Sequence, residues 1–206
     1  FSFKIKENWQ ESKRWFYFAL ILLLVILVIG TYIRTTNISG LIDVTTGNYT
    51  LGPDLDPYLF LRWSRYIAEH GSLMEIDKLR YFPLGFDTSK ETAFMPYLIV
   101  YLYDFLRIFD SNMTIDLAAI LYPAIFFTLG AIAFFFFVRR LFASYPSLER
   151  NLIAIIATAL LVTSPALLHR TVAGIPEKEA GGVFFMFLSF YFFLVSMQSG
   201  TRAKAI

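Results

Sequence analysis

Two pairs of carboxylates stand out in the chain, Asp54-x-Asp56 and Glu177-x-Glu179. Acidic residues at this spacing can grip one hard divalent cation, which prefers oxygen ligands. Such an ion neutralises phosphate charge and acts as a Lewis acid. Each pair also has a plainer reading. Asp56 precedes Pro57 and suits a helix N-cap. The two roles are compatible, because a capping carboxylate can share its second oxygen with an ion. Glu177 and Glu179 follow Pro176 and suit a solvated loop or a helix's first turn, where the dipole favours negative charge. Arg170 lies shortly before them, next to His169. It either anchors a helix end at an interface or pairs with phosphate or with the acidic cluster. Neither His169 nor His70 has a partner at metal-ligand spacing. There is no nucleophile elbow, phosphate-binding glycine loop or dinucleotide fingerprint.

The elements that must position these residues belong mostly to lipid. Of the 206 residues, 57% are apolar and 17% charged, which places the chain among membrane proteins. A net charge of +2 without a basic run gives no reason to expect a nucleic-acid partner. The absence of cysteine excludes disulfides and thiolate metal sites. Four stretches are apolar enough to cross about 30 Å of hydrocarbon as helices: Trp15–Ile33, Leu117–Val138, Leu152–Leu168 and Gly181–Met197. The first reads as an anchor, since no small-residue cleavage site follows it. A fifth stretch, Ala93–Phe109, carries Asp104 and Arg107, which are costly at mid-bilayer.

Basic residues on short loops favour the cytoplasmic side. Lys4, Lys6, Lys13 and Arg14 precede the first span, Arg139, Arg140 and Arg150 separate the second from the third, and Arg202 and Lys204 follow the fourth. Four spans put all three clusters inside, whereas five would split them. Ala93–Phe109 is therefore expected in or near the interface. Residues 34–116 and 169–180 then form two external loops, with both acidic pairs on one face of the membrane. A lipid-linked phosphate substrate would present its charge at that level.

The long loop contains "DPYLFLRWSRYIAEHG", an amphipathic helix with Gly71 as its stop and Arg62, Arg65 and Glu69 on one face. "YFPLGFDT" reads as a turn. Three sequons, at Asn37, Asn48 and Asn112, all fall in the same expected external loop.

Taken in order, "DPYLFLRWSRYIAEHG", "YFPLG" and "RTVAGIPEKEAGG" resemble the catalytic subunit of asparagine-linked oligosaccharyltransferase. The resemblance covers nearly the whole chain, and the ordered set is far more specific than any one motif. It implies an all-α integral membrane protein, a multi-span helical bundle of the GT-C glycosyltransferase type whose long external loop holds amphipathic helices. It implies transfer of an oligosaccharide from a dolichyl phosphate or pyrophosphate donor to the asparagine of Asn-x-Ser/Thr in an acceptor polypeptide. Asp56 matches the family's aspartate that binds Mn²⁺ or Mg²⁺ and lies close to the acceptor amide. Glu177 stands where the family usually has a metal-binding Asp, and Glu179 matches the second acidic position of that motif. Arg170 matches an arginine that supports the site or meets the donor phosphate, while Asp54 takes no role.

Glu177 is one methylene longer than the usual Asp, so the ion would sit differently or the backbone would retreat. The family's W-W-D-Y-G segment and its later external acidic loop are absent from the chain. The chain opens on Phe1 and stops soon after an apolar stretch, as the N-terminal portion of a longer protein would, and such a portion alone is expected to be inactive. The form of the first motif points to an archaeal enzyme in the cell membrane with its site on the external face; a eukaryotic one would sit in the endoplasmic reticulum. Two other readings remain: another membrane glycosyltransferase using polyprenyl-phosphate sugars, or a non-catalytic transporter or scaffold subunit. "VAGIPEKE" argues against the first, and acids placed at loop ends rather than inside spans argue against transport.

Overall fold

A computed structural model describes residues 9–203. Lys4, Lys6 and Lys204 of the charge pattern lie outside the described residues. Among the described residues seven α-helices run in the order α1 (Trp9–Thr35), α2 (Asp56–His70), α3 (Phe94–Arg107), α4 (Ile115–Leu141), α5 (Ser147–Thr163), α6 (Pro165–Thr171) and α7 (Lys178–Ala203). A small hairpin, β1 (Ile76–Asp77) and β2 (Phe86–Asp87), lies between α2 and α3. The chain divides into two compact units. One gathers the described residues up to Arg34, Ile125–His169 and those from Gly181 onward; the other comprises Thr35–Ala124 and Arg170–Ala180.

The first unit holds the apolar helices. Three stretches, Trp9–Leu41, Ile115–Leu141 and Lys178–Gln198, are long and apolar enough to cross a membrane. Their outer faces remain apolar where they meet no protein: Leu24, Val25 and Val28 on α1 and Phe192 and Phe193 on α7 are all exposed. Lipid, not water, suits such a surface. Inside, Ala19 and Leu23 of α1 pack with Phe135 and Val138 of α4 and Ala154 and Ile155 of α5. Gly130 lets α7 approach α4 closely, since a Cβ there would lie 3.2 Å from Val183 Cγ1. Thr31 and Thr128 share a 2.8 Å hydrogen bond between α1 and α4.

The third expected span, Leu152–Leu168, is not one straight helix. It is split into α5 and α6, which are bent by 60°. Pro165 explains the break, because its ring disfavours helical backbone at the preceding residue. Ser164 is accordingly extended, with ψ 120°. Counted as one broken span, the pair brings the total to four. Buried Arg34 of α1 donates to Val162 O at 3.0 Å beside this break, with its guanidinium 3.7 Å from the Phe127 ring centroid. A cation there complements the open carbonyls at the end of α5.

The second unit is built on α2 and α3. Phe60, Trp63 and Ile67 recur at helical spacing on the buried face of α2. Ser64 Oγ ties the two helices by donating to Pro96 O at 3.2 Å. At 14 residues, α3 is about 21 Å long, too short to cross the hydrocarbon. Gly71 ends α2 in the left-handed region at φ 79°, and its N–H donates to Ile67 O. Arg62 and Arg65, expected on a charged face, are both held by ion pairs, to Asp77 and Asp116. Asp77 is fully buried and also accepts from Trp63 Nε1 at 2.9 Å and Leu79 N–H at 3.0 Å. The "YFPLG" turn closes through Leu84 and Gly85 N–H groups donating to Tyr81 O.

Candidate active site

Backbone and side-chain bonds hold the segment 170–180 to the rest of its unit. Gly52 N–H donates to Gly174 O at 2.8 Å, Gly174 N–H donates to Ile120 O at 3.0 Å, and Asn37 Nδ2 donates to Ala173 O at 2.7 Å. The first bond sets the Asp54-x-Asp56 stretch beside the Glu177-x-Glu179 stretch. Gly174 makes this possible. Its φ is +87°, and a Cβ would lie 2.5 Å from Leu41 Cδ1 and 3.4 Å from Gly52 N. Gly174→Ala is therefore expected to cost about 1–3 kcal/mol. Thermal unfolding of the purified protein checks this; an unchanged midpoint would show that the segment tolerates a side chain there.

Asp56 is the first residue of α2, not its N-cap. Leu55 precedes the helix and is itself in the right-handed helical region, at φ −83° and ψ −38°, and no side chain caps the end. The helical turn starts one residue earlier than the cap reading requires, which leaves the Asp56 carboxylate without that duty. It faces a cavity of about 630 Å³ that Glu177, Glu179 and Arg170 also line, together with Arg80, Glu91 and Lys178. Asp56, Glu177, Glu179 and Arg170 thus share one cavity, and Asp54 is not among the residues that line it. Among the described residues no three carboxylate or imidazole groups gather tightly enough to hold an ion.

Glu177 is buried, and Arg170 Nη1 donates to its Oε2 at 2.6 Å. The same guanidinium nitrogen lies 3.9 Å from Asp54 Oδ2. Of the readings open for Arg170, the structure shows pairing with the acidic cluster. Burial pushes the Glu177 carboxyl above its ordinary pKa; the Arg170 bond opposes this, while the charges of Glu179 and Asp54 add to it. In return, the bond to Glu177 raises the pKa of Arg170. The ion pair with Arg170 offsets part of the cost of burying the Glu177 carboxylate.

Three polar residues of the cavity were not singled out from the sequence. Lys178 Nζ lies 2.5 Å from Glu91 Oε1, and Arg80 Nη1 lies 3.6 Å from Glu91 Oε2. The lysine's hydrogen bond holds the Glu91 carboxyl below its usual range. A lysine between two glutamates was the one available signal, because it must go somewhere other than its neighbours if both are to work. Glu91, in "SKETA", carries no pattern that would mark it.

Helices long and apolar enough to cross a membrane and, in the second unit, an acid-lined cavity belong to a chain whose fold is of the GT-C membrane type. Residues 48–205 match the family model for the N-terminal part of the oligosaccharyl transferase STT3, and the chain belongs to that family. Its fold is similar to the archaeal oligosaccharyltransferase AglB from Archaeoglobus fulgidus in complex with an inhibitory peptide and a dolichol-phosphate. That match has a TM-score of 0.70 and 21% identity over 91% of this chain and 20% of that one. The Archaeoglobus fulgidus enzyme in complex with Zn and sulfate matches with a TM-score of 0.68 and 21% identity, over 84% of this chain and 21% of that one. Its apo form gives 0.70 and 20% identity, over 92% and 20%. No curated protein matches the chain. The chain spans about a fifth of the length of the structures it matches.

Proposed function

We propose that this chain supplies part of the active site of an enzyme that transfers an oligosaccharide from a dolichyl phosphate or pyrophosphate donor to the asparagine of an Asn-x-Ser/Thr acceptor. The observation that carries the reading is the shared cavity: Asp56 from the start of α2 and Glu177 and Glu179 from the segment before and within α7 line it with Arg170. Family membership supports the same reaction. The related enzyme with bound peptide and dolichol-phosphate supports the two kinds of substrate.

The donor set suits a hard cation, since Asp56, Glu177 and Glu179 offer only carboxylate oxygens and no sulfur or imidazole lines the cavity. Asp56, Glu177 and Glu179 would hold Mn²⁺ or Mg²⁺ only once drawn closer together than they stand in this structure; the related structure was obtained with Zn. When bound, such an ion supplies charge neutralisation and Lewis acidity. The chain's own residues do the rest. Asp56 accepts a hydrogen bond from the acceptor amide and fixes its nitrogen in the cavity. Arg170 keeps the buried Glu177 ionised and offsets charge on the departing lipid phosphate. The topology that serves this chemistry puts residues 34–116 and 169–180 on the external face of an archaeal cell membrane.

The test uses the full-length parent protein in detergent, a fluorescent Asn-x-Thr peptide and lipid extract from the source organism. Peptide glycosylation supported by Mn²⁺ and lost in EDTA is the expected result. No transfer with a lipid extract of demonstrated competence would reassign the chain to another polyprenyl-phosphate glycosyltransferase or to a non-catalytic subunit.

A further inference from the structure

Two arginines on either side of the turn from α4 to α5, both in the first unit, serve no part of the proposed reaction. Arg139 stands in the last turn of α4, where a cation suits the helix dipole. Arg150 stands in the first turn of α5, where a cation is disfavoured. The two are close enough for their charges to repel. Among the described residues neither forms an ion pair. Glu149, next to Arg150, is exposed and likewise pairs with no cation.

Arg139 is aimed by a buried partner. Its Nε donates to Asn151 Oδ1 at 2.8 Å, and its guanidinium lies 4.4 Å from the Phe16 ring centroid. Asn151 is only 2% exposed. Arg150 is half-buried, and its Nε is enclosed without a hydrogen-bond partner. Its two outer nitrogens have no protein partner either and are not enclosed. Leaving a charged donor unpaired in this way is costly. An anion between the two guanidinium groups would relieve both that cost and their repulsion.

This end of the bundle is also a membrane boundary. The apolar helix α4, long enough to cross, ends at Leu141. Ser147 Oγ donates to Ser12 O at 3.2 Å, which sets the first turns of α1 beside the start of α5. Trp9 and Tyr145 are exposed there, and such side chains favour the headgroup level. The common anion at that level is phosphate, which a guanidinium fork grips with two parallel N–H groups. From this geometry we infer that Arg139 and Arg150 form a binding site for a phosphate group, carried by an anionic phospholipid or by a soluble phosphate. Bound there, the group fastens the α4–α5 turn to the membrane surface.

The experiment uses full-length parent protein in detergent and reads affinity from the thermal midpoint as ligand is added. Phosphatidylglycerol, net-neutral phosphatidylcholine and inorganic phosphate are compared. Wild type should be stabilised by phosphatidylglycerol. Arg139→Gln and Arg150→Gln should each weaken that affinity about tenfold, the worth of one charge-assisted hydrogen bond. Arg150→Lys keeps the charge but loses the fork, and should fall between wild type and Arg150→Gln. Should Arg139→Gln unfold through loss of its bond to Asn151, Arg150→Gln still decides, because the Arg150 side chain makes no bond to the protein. Stabilisation by phosphatidylglycerol alone assigns the phosphate to a lipid. Stabilisation by inorganic phosphate as well assigns it to a soluble source, and both outcomes uphold the site. A wild type stabilised by neither, equal stabilisation by phosphatidylcholine, or an Arg150→Gln protein that binds as tightly as wild type would each overturn the inference.

Discussion

Asp56→Asn in the full-length protein is expected to lower glycan transfer by about 10²- to 10³-fold, the usual loss when one positioned charge-stabilising group is removed. The substitution keeps the shape of the side chain and removes its charge. It should leave α2 in place, because Asp56 is not the N-cap and Pro57 after it favours the first turn of the helix. That separates it from Glu177→Gln, where the buried partner of Arg170 loses its charge and folding suffers along with activity. The measurement is the initial rate of peptide glycosylation beside the thermal midpoint of each variant. Transfer within threefold of wild type for Asp56→Asn would remove this residue from the reaction and force the ligand assignment elsewhere.

The second large effect is on stability and lies away from the cavity. Asp77→Ala is expected to cost about 3–5 kcal/mol, the range seen when one partner of a buried ion pair is deleted. The carboxylate is wholly buried and accepts from Arg62, Trp63 and the Leu79 backbone, so its loss leaves three donors without an acceptor. Burial alone would push its pKa up. The bonds from Arg62, Trp63 and Leu79 outweigh burial and bring it to about 2, below the ordinary 3.8. A carboxyl whose folded pKa is lowered contributes stability above its unfolded value and loses it as pH falls through the folded one. The Asp77 contribution is thus complete above about pH 4 and fades towards pH 2. Thermal midpoints at pH 7 should fall sharply in Asp77→Ala. Between pH 4 and 2 the wild type should lose part of that advantage. Equal midpoints at pH 7 would show that the hairpin holds without its buried charge.

The apolar helices were legible because hydrophobic runs long enough for a bilayer leave little choice of structure. Trp15–Ile33, Leu117–Val138 and Gly181–Met197 each fall inside a longer helix. The third run hid a break, because its apolar content continues through Ser164-Pro165 while its backbone does not. Proline was the visible signal, and hydropathy masked it. The start of α2 was placed one residue late because Leu55 has no side-chain feature that marks a helix boundary. Asp77 and Glu91 were missed for a shared reason. Asp77 follows Glu75 in a stretch without periodicity and Glu91 follows a short turn, and the role of each depends on a cation elsewhere in the chain, Arg62 for one and Lys178 for the other. Periodicity reports neighbours on one element and carries no information about such pairs. The two-residue strands are likewise too short to show alternation. For the cavity, the spacing of the acids named candidates, and the fold was needed to show that Glu177 is committed to Arg170 while Asp56 is free of capping.

The bond from Asn37 to Ala173 reaches beyond the packing it secures. Asn37, Asn48 and Asn112 each begin an Asn-x-Ser/Thr triplet, so the chain carries acceptor sites of its own. Asn48 and Asn112 are exposed. The Asn37 amide nitrogen is instead spent on the carbonyl beside Gly174, at 2.7 Å, and its oxygen is buried. A sugar on that nitrogen would have to pry the segment 170–180 from its seat. Glycopeptide mapping should therefore find Asn37 bare even where its two counterparts are occupied, because its amide is locked inside the packing that seats the segment 170–180.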